Sequence, residues 1–541
     1  MIKSLEEDVI EAKKSDNKSK EKLEEQIKKI SAQADDILNK NTQLNTKYEE
    51  VKEKYEKEIL KKKSETPKDK KLVPFEGLKL IHLDLKGSPP KFDYLIEFME
   101  TSKEFGATGL LVEYEDMFPW SGDLKVLARK EAYTKEQLKK FLEKASELKL
   151  EVMPLIQTFG HLEFVLKHDE FKDLRAKKDV STSICPLDKK SGPLVKKMID
   201  QMIELHPNLK WLHMGGDEVW DIKSCDACHN NYTDQQLYHT HMLPLMKHIK
   251  SKGNNLTPVI WDDMMREWDV EGMKVMAEHV VPMVWGYVAN LSTYPSYPKD
   301  MWDKYLQAFP NIFFASSFKG ALKPWSNYVP IQQHLENHVS WLTIFNRYKN
   351  TSKKVQGIAL TGWSRFDHFG PLCELLPAGV PSMALCLAIL NHGGYDDTLL
   401  WKVSQALGLE RDFVTKMKYY RKYKPDNGTF KRHEIHTMIG ELEQAYRWKD
   451  YAEVRLAGWA RPYNIKHKEF SFFQLNDTRR GLEESLLGLT KIQQNGKKLL
   501  SDIFNEDTVE EWMEEKVDVV LTDVKEKLSK VKSRITSSFP N

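Results

Sequence analysis

The sequence predicts an α/β protein built on a (β/α)8 TIM barrel, with an N-terminal coiled-coil helix and a C-terminal helical region. Three observations predict this fold. In residues 72–400, short apolar runs alternate with longer amphipathic stretches, as they do where strand–helix units repeat around a parallel sheet. Residues 1–71 are dominated by Lys, Glu, Asp, Ser and Asn. Residues 401–541 contain no convincing series of strands.

In the N-terminal region, from Leu23 onward, seam residues recur at spacings of four and three, which is typical of a coiled coil. The seam positions are Leu23, Ile27, Ile30, Ala34, Ile37, Asn41, Leu44, Tyr48, Val51 and Tyr55. A coiled coil here predicts a homo-oligomer, and Asn41 on the seam would fix the register and the number of helices. The alternative is one long, solvated, partly disordered helix. Residues 64–71 are typical of a linker.

The middle region contains eight candidate strands separated by helix-like segments. The strands are residues 78–85, 109–114, 151–157, 209–214, 258–261, 280–286, 311–316 and 355–363. The helix-like segments include residues 134–148, 194–205 and 238–252. Repeated units of this kind fit a (β/α)8 barrel, which needs about 250 residues plus insertions. A doubly wound open sheet is the competing architecture. Residues 441–447 and 508–535 have helical composition, which predicts an accessory helical region over 401–541.

Composition narrows the choice of partners and compartments. The formal net charge of +2 gives no reason to expect nucleic acid as a partner. No apolar run reaches membrane-spanning length, and the first residues are not typical of a signal peptide. Five cysteines predict a mostly reduced protein rather than a disulfide framework. Seven Asn-x-Ser/Thr triplets keep open a secretory lumen, if an upstream targeting segment is missing.

Residues 213–220, His-Met-Gly-Gly-Asp-Glu-Val-Trp, are the most informative segment of the chain. Asp217 and Glu218 follow an apolar strand and two glycines. This pattern puts two acids where a strand ends and where a ligand can approach the backbone. The segment predicts a catalytic acid pair, and the alternative is a surface turn that begins the next helix.

Polar and aromatic residues also follow the other predicted strands, where catalytic groups collect in a barrel. They include Asp84, Lys86, Glu113, His161, Trp261, Asp262, Trp285, Tyr287 and Trp363. Any one of them has an ordinary structural explanation. Together, indole rings that cover a pyranose and carboxylates that accept from its hydroxyls predict a sugar-binding pocket. An acid pair in such a pocket suggests glycoside hydrolysis.

The motif His-x-Gly-Gly-Asp-Glu at residues 213–218 resembles the signature of family 20 glycoside hydrolases, the β-N-acetylhexosaminidases. Five further segments are similar to the hexosaminidase D branch of that family: residues 82–87, 114–119, 157–161, 261–264 and 373–381. The resemblance covers residues 74–400 and leaves out the coiled coil. It implies that the partners are glycans ending in N-acetylhexosamine, that no cofactor or metal takes part, and that the protein lies in the cytoplasm or nucleus.

The resemblance also implies an exo-acting, retaining and substrate-assisted mechanism, an exception to the two-carboxylate scheme. In that mechanism the 2-acetamido oxygen of the substrate attacks C1 and forms an oxazolinium ion. Glu218 would protonate the departing oxygen and later deprotonate water, while Asp217 would orient the acetamido N–H. We expect a raised pKa for Glu218 in the free pocket, because Asp217 is close and the walls are apolar.

Further roles follow from the same resemblance. Tyr287 is similar to the family tyrosine that donates to the acetamido carbonyl, and His161 to the histidine that supports the acid. The resemblance also implies four residues that line or border the bound sugar: Trp285, Trp363, Trp261 and Asp262.

Hydroxyl recognition is expected to depart from the family pattern. Many family members hold the sugar hydroxyls with an arginine after strand one, whereas this chain has Asp84 and Lys86 there, followed by Glu113 on strand two. Lysine lacks the bidentate fork of arginine. The hexosaminidase D branch is associated with galactosamine, which is the expected preference over glucosamine.

The string Cys225-Asp226-Ala227-Cys228-His229 matches a haem-attachment motif, but no electron-transfer context accompanies it. Zinc needs four ligands, and no second Cys pair lies nearby in the sequence. We therefore predict no metal, and either a local disulfide or two free thiols.

Two other functions compete with the hexosaminidase. One is a catalytically inactive glycan-binding or coiled-coil scaffold protein, against which the intact Asp217–Glu218 pair and Tyr287 argue. The other is a hydrolase that uses two distant carboxylates.

Overall fold

Eight parallel strands close into a barrel in the computed structural model of the chain. The strands in chain order are β1 (Leu78–Asp84), β2 (Gly109–Glu113), β3 (Glu151–Leu155), β4 (Arg175–Lys177), β5 (Val180–Ile184), β6 (Trp211–His213), β7 (Thr257–Trp261), β8 (Val281–Trp285), β9 (Ile312–Lys319) and β10 (Val355–Gly362). All except β4 and β5 belong to the barrel. Leu78 pairs with Gly357, which joins β1 to β10 and closes the sheet. The predicted (β/α)8 barrel is confirmed, and the open sheet is wrong.

The structure describes residues 72–539, except residues 230, 254, 349–354, 411–413 and 415–427. The predicted coiled coil and linker, residues 1–71, lie outside the described residues, so the homo-oligomer expected from them stays a prediction. Among the described helices, none combines the length and the apolar character that crossing a membrane would require.

Alternate residues of the strands face the inside and the outside of the barrel. On β1, Leu80 belongs to the inner core, whereas Ile81 packs outward with the helices. The inner core consists of Leu80, Leu111, Met153, Leu155, Val259, Trp261, Val281, Met283, Phe313, Ala315 and Ala359. Because these side chains fill the interior, a ligand is expected at an end of the barrel rather than inside it.

Helices connect the barrel strands and continue beyond β10. They are α1 (Phe92–Glu104), α2 (Lys135–Glu147), α3 (Glu163–Leu166), α4 (Ser191–Leu205), α5 (Asp226–His229), α6 (Asp234–Ser251), α7 (Val270–Ala277), α8 (Met301–Ala308), α9 (Ile331–Arg347), α10 (Leu376–His392), α11 (Asp397–Ala406), α12 (His433–Trp459), α13 (Pro462–His467), α14 (Phe472–Ser501), α15 (Glu506–Met513) and α16 (Val519–Ser538). Three of them, α2, α4 and α6, are the helices predicted from the sequence. Helix α2 begins after Thr134, whose side chain forms a capping box with Gln137.

The antiparallel hairpin β4–β5 interrupts the strand–helix alternation between β3 and α4. Sequence analysis missed it because both strands are short and mostly polar. The hairpin lies against the loop after β3, where Ile184 N–H donates to the Phe159 carbonyl (3.1 Å) and Leu162 N–H donates to the Thr182 carbonyl (2.9 Å). It therefore supports the loop on which His161 lies.

The predicted C-terminal helical region packs on the barrel. Helix α14 lies along both α12 and α16. A Cβ on Gly488 of α14 would lie 3.0 Å from the Ala445 side chain of α12, so the small residue allows a close approach. Arg365, on the loop after β10, donates to Glu511 of α15 (2.5 Å). The C-terminal helices therefore brace a loop at the end of the barrel where the functional residues lie.

Candidate active site

A tight turn after β6 carries Asp217 and Glu218. Gly215, Gly216 and Glu218 have left-handed backbone conformations, with φ of 61°, 88° and 49°. A Cβ on Gly215 would lie 1.9 Å from Gln157 Oε1, and a Cβ on Gly216 would lie 2.7 Å from the Tyr238 hydroxyl oxygen. Both glycines are therefore required by conformation and by space. Glu218 has no such freedom, and its strained backbone is of the kind that clusters at functional sites.

His161 contacts both carboxylates. Its Nε2 atom lies 3.5 Å from Asp217 Oδ2 and 3.3 Å from Glu218 Oε2. His161 itself has a left-handed φ of 51°, which turns it out of the loop that β5 supports. The imidazole is thus held where it can exchange a proton with either acid.

Burial and charge shift the pKa values of these three groups. Burial disfavours a charged imidazole, but the Asp217 carboxylate and the hydrogen bond with Glu218 raise the pKa of His161 to about 10. Burial raises the pKa of Asp217 to about 8. The His161 imidazolium opposes this rise, whereas the nearby Asp263 charge adds to it. The hydrogen bond with His161 lowers the pKa of Glu218.

The expectation of a raised pKa for Glu218 is therefore wrong for the free site. The Glu218 side chain is 40% exposed and lies against the imidazolium, whereas that of Asp217 is only 11% exposed. Water and the imidazole stabilise the charge on Glu218, so the proton resides on the more buried Asp217.

A cavity of about 280 Å³ lies at the carboxyl ends of the strands. The four predicted catalytic residues line it: His161, Asp217, Glu218 and Tyr287. Five predicted substrate-binding residues line it too: Lys86, Glu113, Trp261, Trp285 and Trp363. Its volume is near the small end of the range of ~300–1,000 Å³ for ligand pockets, which suits a small ring-shaped ligand.

Asp262 does not line this cavity, which corrects its prediction as a sugar-binding residue. The fully buried carboxylate accepts two hydrogen bonds from Arg266 (2.8 Å each) and one from the Tyr305 hydroxyl (3.0 Å). It also accepts the Trp285 backbone N–H (3.1 Å). Arg266 in turn lies over the Trp285 ring, 4.6 Å from its centroid. Asp262 therefore positions Trp285 and has no oxygen left for a sugar.

The adjacent residue, Asp263, supports the site although sequence analysis gave it no role. Its carboxylate accepts the Glu218 backbone N–H (2.9 Å) and the Trp285 indole N–H (3.1 Å). Burial and the neighbouring Asp262 charge raise the pKa of Asp263 to about 6. Asp263 thus joins the turn that carries Glu218 to an aromatic wall of the cavity.

Asp84 also stands behind the cavity wall, which corrects its prediction as a substrate-binding residue. It accepts hydrogen bonds from the Lys86 backbone N–H (2.9 Å), from Lys86 Nζ (3.2 Å) and from the Ser364 backbone N–H (2.8 Å). Lys86 does line the cavity, with Nζ 5.4 Å from the centroid of the Trp363 ring. Asp84 therefore holds the Lys86 ammonium beside the ligand space.

Glu113 is a fully buried carboxylate in the cavity wall. One oxygen accepts from Gln157 Nε2 (3.0 Å), and the other lies 3.2 Å from His82 Nε2. Burial opposes its charge, but the Lys86 ammonium and the His82 hydrogen bond hold its pKa below the usual range. The wall therefore offers a fixed anion and a fixed cation to polar groups of a ligand.

Aromatic rings supply the apolar part of the cavity. The rings of Trp285 and Tyr287 stack with centroids 5.3 Å apart and 24° between their planes, and those of Trp261 and Trp363 are 6.1 Å apart. Burial raises the pKa of Tyr287, so its hydroxyl remains a proton donor at neutral pH. Flat apolar faces with a few fixed polar groups suit a pyranose ring.

Several lining residues had no predicted role. They are Gln157, Val288, Tyr294, Gly320, Ala321, Leu322 and Phe366. Gln157 stands in a segment that the sequence analysis singled out, and its position directly after a strand was a usable signal. The others lie on loops after the strands, where a linear pattern gives no sign of which residues face a cavity.

Cys225 and Cys228 are free thiols, which is one of the two alternatives predicted from the sequence. A third free thiol, Cys185, follows β5 and lies beside them, with its Sγ 3.4 Å from Cys225 Sγ. The sequence gave no sign of this neighbour, because 40 residues separate Cys185 from Cys225.

Comparison with known proteins gives three matches of note. The family profile described as glycosyl hydrolase family 20, catalytic domain, matches residues 111–367. Hexosaminidase D of Homo sapiens is 36% identical over 456 residues, which cover 82% of this chain and 92% of that protein. Hexosaminidase D of Bos taurus is 39% identical over 341 residues, which cover 61% of this chain and 97% of that protein.

Among solved structures, a β-N-acetylhexosaminidase from Bacteroides fragilis superposes with a TM-score of 0.46 and 13% identity, over 61% of this chain and 70% of that structure.

Replacing Glu218 by Gln should lower the pKa of His161 below its wild-type value of about 10, although the contact with Asp217 remains. The variant removes a charge that stabilises the imidazolium, while burial continues to oppose it. An NMR titration of isotope-labelled histidines measures this pKa, with His161→Asn as the assignment variant. Glu278→Gln, an exposed acid beside His279, is the control and should leave His161 unchanged. A wild-type His161 that titrates near 6.5 would show that it does not bridge the two acids.

Proposed function

Because the chain belongs to glycosyl hydrolase family 20, in its hexosaminidase D branch, we propose that it removes terminal N-acetylhexosamine from glycoconjugates by substrate-assisted, retaining hydrolysis. Membership of the family makes the chain a β-N-acetylhexosaminidase. Its exo action, its sugar preference and its mechanism are the proposal. The observation that carries it is the contact of one imidazole, His161, with Asp217 and Glu218 in the wall of a cavity of about 280 Å³.

In the proposed first step, the acetamido oxygen of the bound sugar attacks C1, and the bond from C1 to the glycosidic oxygen breaks. Glu218 gives its proton to the departing oxygen. Asp217 accepts a hydrogen bond from the acetamido N–H and balances the positive charge that develops on the amide. The product of this step is an oxazolinium ion, and the aglycone leaves as an alcohol.

In the proposed second step, Glu218 takes a proton from water while the water oxygen bonds to C1. The bond between C1 and the acetamido oxygen breaks, which restores the amide. Two displacements at C1 give net retention of configuration. Both acids return to their starting protonation states, so no cofactor is needed.

The hydrogen bonds of Glu113 support attack on C1 by the acetamido oxygen of the substrate rather than by a carboxylate of the enzyme. A two-carboxylate retaining enzyme needs a second carboxylate as nucleophile, about 5–5.5 Å from the first. Glu113 also lines the cavity, but its two oxygens already have partners in Gln157 and His82. Those contacts suit a group that binds hydroxyls better than one that attacks a carbon atom.

The free-site pKa values support a proton shift when substrate binds. At neutral pH, which lies below the pKa of about 8 for Asp217, the Asp217 carboxyl holds a proton and Glu218 is ionised beside His161. An amide N–H that donates to Asp217 favours the ionised form of that carboxyl, and a sugar that covers Glu218 disfavours its charge. The proton then passes from Asp217 to Glu218 by way of His161, which contacts both.

The aromatic groups would contact the acetamido group, and the fixed charges would contact the hydroxyls of the sugar. Trp285 and Trp363 would enclose the acetamido methyl group, and Tyr287 would donate to its carbonyl oxygen. Lys86 and Glu113 would bind ring hydroxyls as a point donor and an acceptor. A compact ammonium lacks the fixed fork of arginine, and we propose that this arrangement favours galactosamine over glucosamine.

Glu218→Gln should lower kcat on paired chromogenic N-acetylgalactosaminide and N-acetylglucosaminide substrates by ~10²–10⁴-fold, the usual contribution of a general acid–base group. The wild type should favour the galactosaminide. Glu278→Gln, whose side chain is 76% exposed, is the matched control and should keep wild-type rates. Wild-type activity in Glu218→Gln would remove its role as the acid. A wild type that releases no chromophore between mildly acidic and neutral pH would favour a glycan-binding protein.

The alkaline limb of kcat/KM should lie near the pKa of Asp217, about 8. Below this pH the free site holds the proton that Glu218 will donate, and above it the proton is lost, so kcat/KM falls as pH rises. A pH–rate profile of the wild type measures the limb. An alkaline limb only near the pKa of His161, about 10, would mean that Asp217 does not store the proton.

A further inference from the structure

Three cysteine thiols from two segments of the chain converge beside the active site. Cys185 follows β5, and Cys225 and Cys228 lie on the loop after Glu218, at the start and within helix α5. The Sγ atoms of all three lie within 4.8 Å of one another, and those of Cys185 and Cys225 are 3.4 Å apart. Cys185 and Cys228 are buried, whereas Cys225 is partly exposed.

We propose that Cys185, Cys225 and Cys228 form a zinc site with three thiolate ligands. Zinc–sulfur bonds of about 2.3 Å in a tetrahedral arrangement put neighbouring sulfur atoms about 3.8 Å apart. The spacing of these thiols is close to that geometry without a rearrangement of the backbone. In the described part of the chain no further His, Cys, Asp or Glu joins the group, which leaves the fourth position to water or another external ligand.

The surroundings of the sulfur atoms suit a metal that enters through Cys225. The Cys228 backbone N–H donates to Cys225 Sγ (3.3 Å). Cys225 is partly exposed, whereas Cys185 and Cys228 are buried. One accessible thiol and two buried thiols provide an entry point and an enclosed site.

The zinc site would crosslink the segment that follows Glu218 and the hairpin that supports the loop of His161. Cys185 extends the hairpin strand that supports the loop of His161, and Cys225 lies seven residues after Glu218. The Thr182 hydroxyl already donates to Asp221 (3.1 Å) between the same segments. Zinc would add three strong bonds to this hydrogen bond. Metal binding itself does not depend on the proposed hydrolysis.

A disulfide between Cys185 and Cys225 is the rival outcome. It would use two sulfur atoms and leave the buried Cys228 without a function. It also requires an oxidant and an approach of the two Sγ atoms from 3.4 Å to bonding distance. Convergence of three sulfur atoms rather than two favours the metal.

The test is the zinc content of the full-length chain, purified under reducing conditions, incubated with zinc and freed of loosely bound metal. We expect one zinc per chain. Cys185→Ser and Cys225→Ser should weaken zinc binding more than ~10-fold, the least that loss of a supporting group costs a metal site. Cys373→Ser and Cys386→Ser, at buried cysteines elsewhere in the fold, are the matched controls and should keep the metal.

Cobalt titration of the wild type gives a second measurement that needs no variant. Cobalt bound to thiolates should produce an intense near-ultraviolet charge-transfer band and should protect the partly exposed Cys225 from a thiol reagent. Absence of this band together with absence of zinc would overturn the proposal. Mass spectrometry that finds a Cys185–Cys225 disulfide in the native protein, or equal zinc loss in the control variants, would overturn it too.

Discussion

The left-handed turn at Gly215 and Gly216 is the constraint on which the active site depends. Adjacent side chains of an extended strand point to opposite faces, yet Asp217 and Glu218 both line one cavity and both reach His161. The turn makes this possible because two left-handed residues redirect the backbone, at positions where a Cβ would lie 1.9 Å from Gln157 Oε1 and 2.7 Å from the Tyr238 hydroxyl oxygen. A larger residue would meet the strain of a positive φ, ~1–3 kcal/mol, in addition to the clash. The pairing of the acids and their shared contact with His161 therefore depend on the same turn.

Charge pairing explains how so many ionisable groups coexist at the end of the barrel. Asp84 is paired with Lys86, and Asp262 with Arg266. An isolated buried charge costs several kcal/mol, and a partner offsets much of that cost. Asp217 has an imidazolium at 3.5 Å, yet it is buried among further carboxylates, and its pKa of about 8 is the result. Because this environment disfavours a charge on Asp217, the carboxyl of the free site holds a proton at neutral pH.

The sequence predicted what depends on local pattern and missed what depends on contacts between distant segments. The barrel strands can be predicted from the sequence because apolar runs recur, and the acid pair can be predicted because two glycines precede it. The role of Asp262 was not predictable, because it depends on contacts with Tyr305 and Trp285, which lie on distant segments. The proton on Asp217 rather than Glu218 depends on the loop that carries His161. The meeting of Cys185 with Cys225 depends on a hairpin whose polar strands gave no signal.

Fluorination of the substrate's acetyl methyl group tests most directly whether the acetamido oxygen is the nucleophile. Each fluorine withdraws electrons from the amide oxygen and leaves the glycosidic bond and the enzyme's carboxylates unchanged. In a series of aryl N-acetylhexosaminides with none to three fluorines, kcat of the wild type should fall steeply with each addition if that oxygen attacks C1. A kcat that does not change along the series would contradict substrate assistance and would assign the attack to a group of the enzyme.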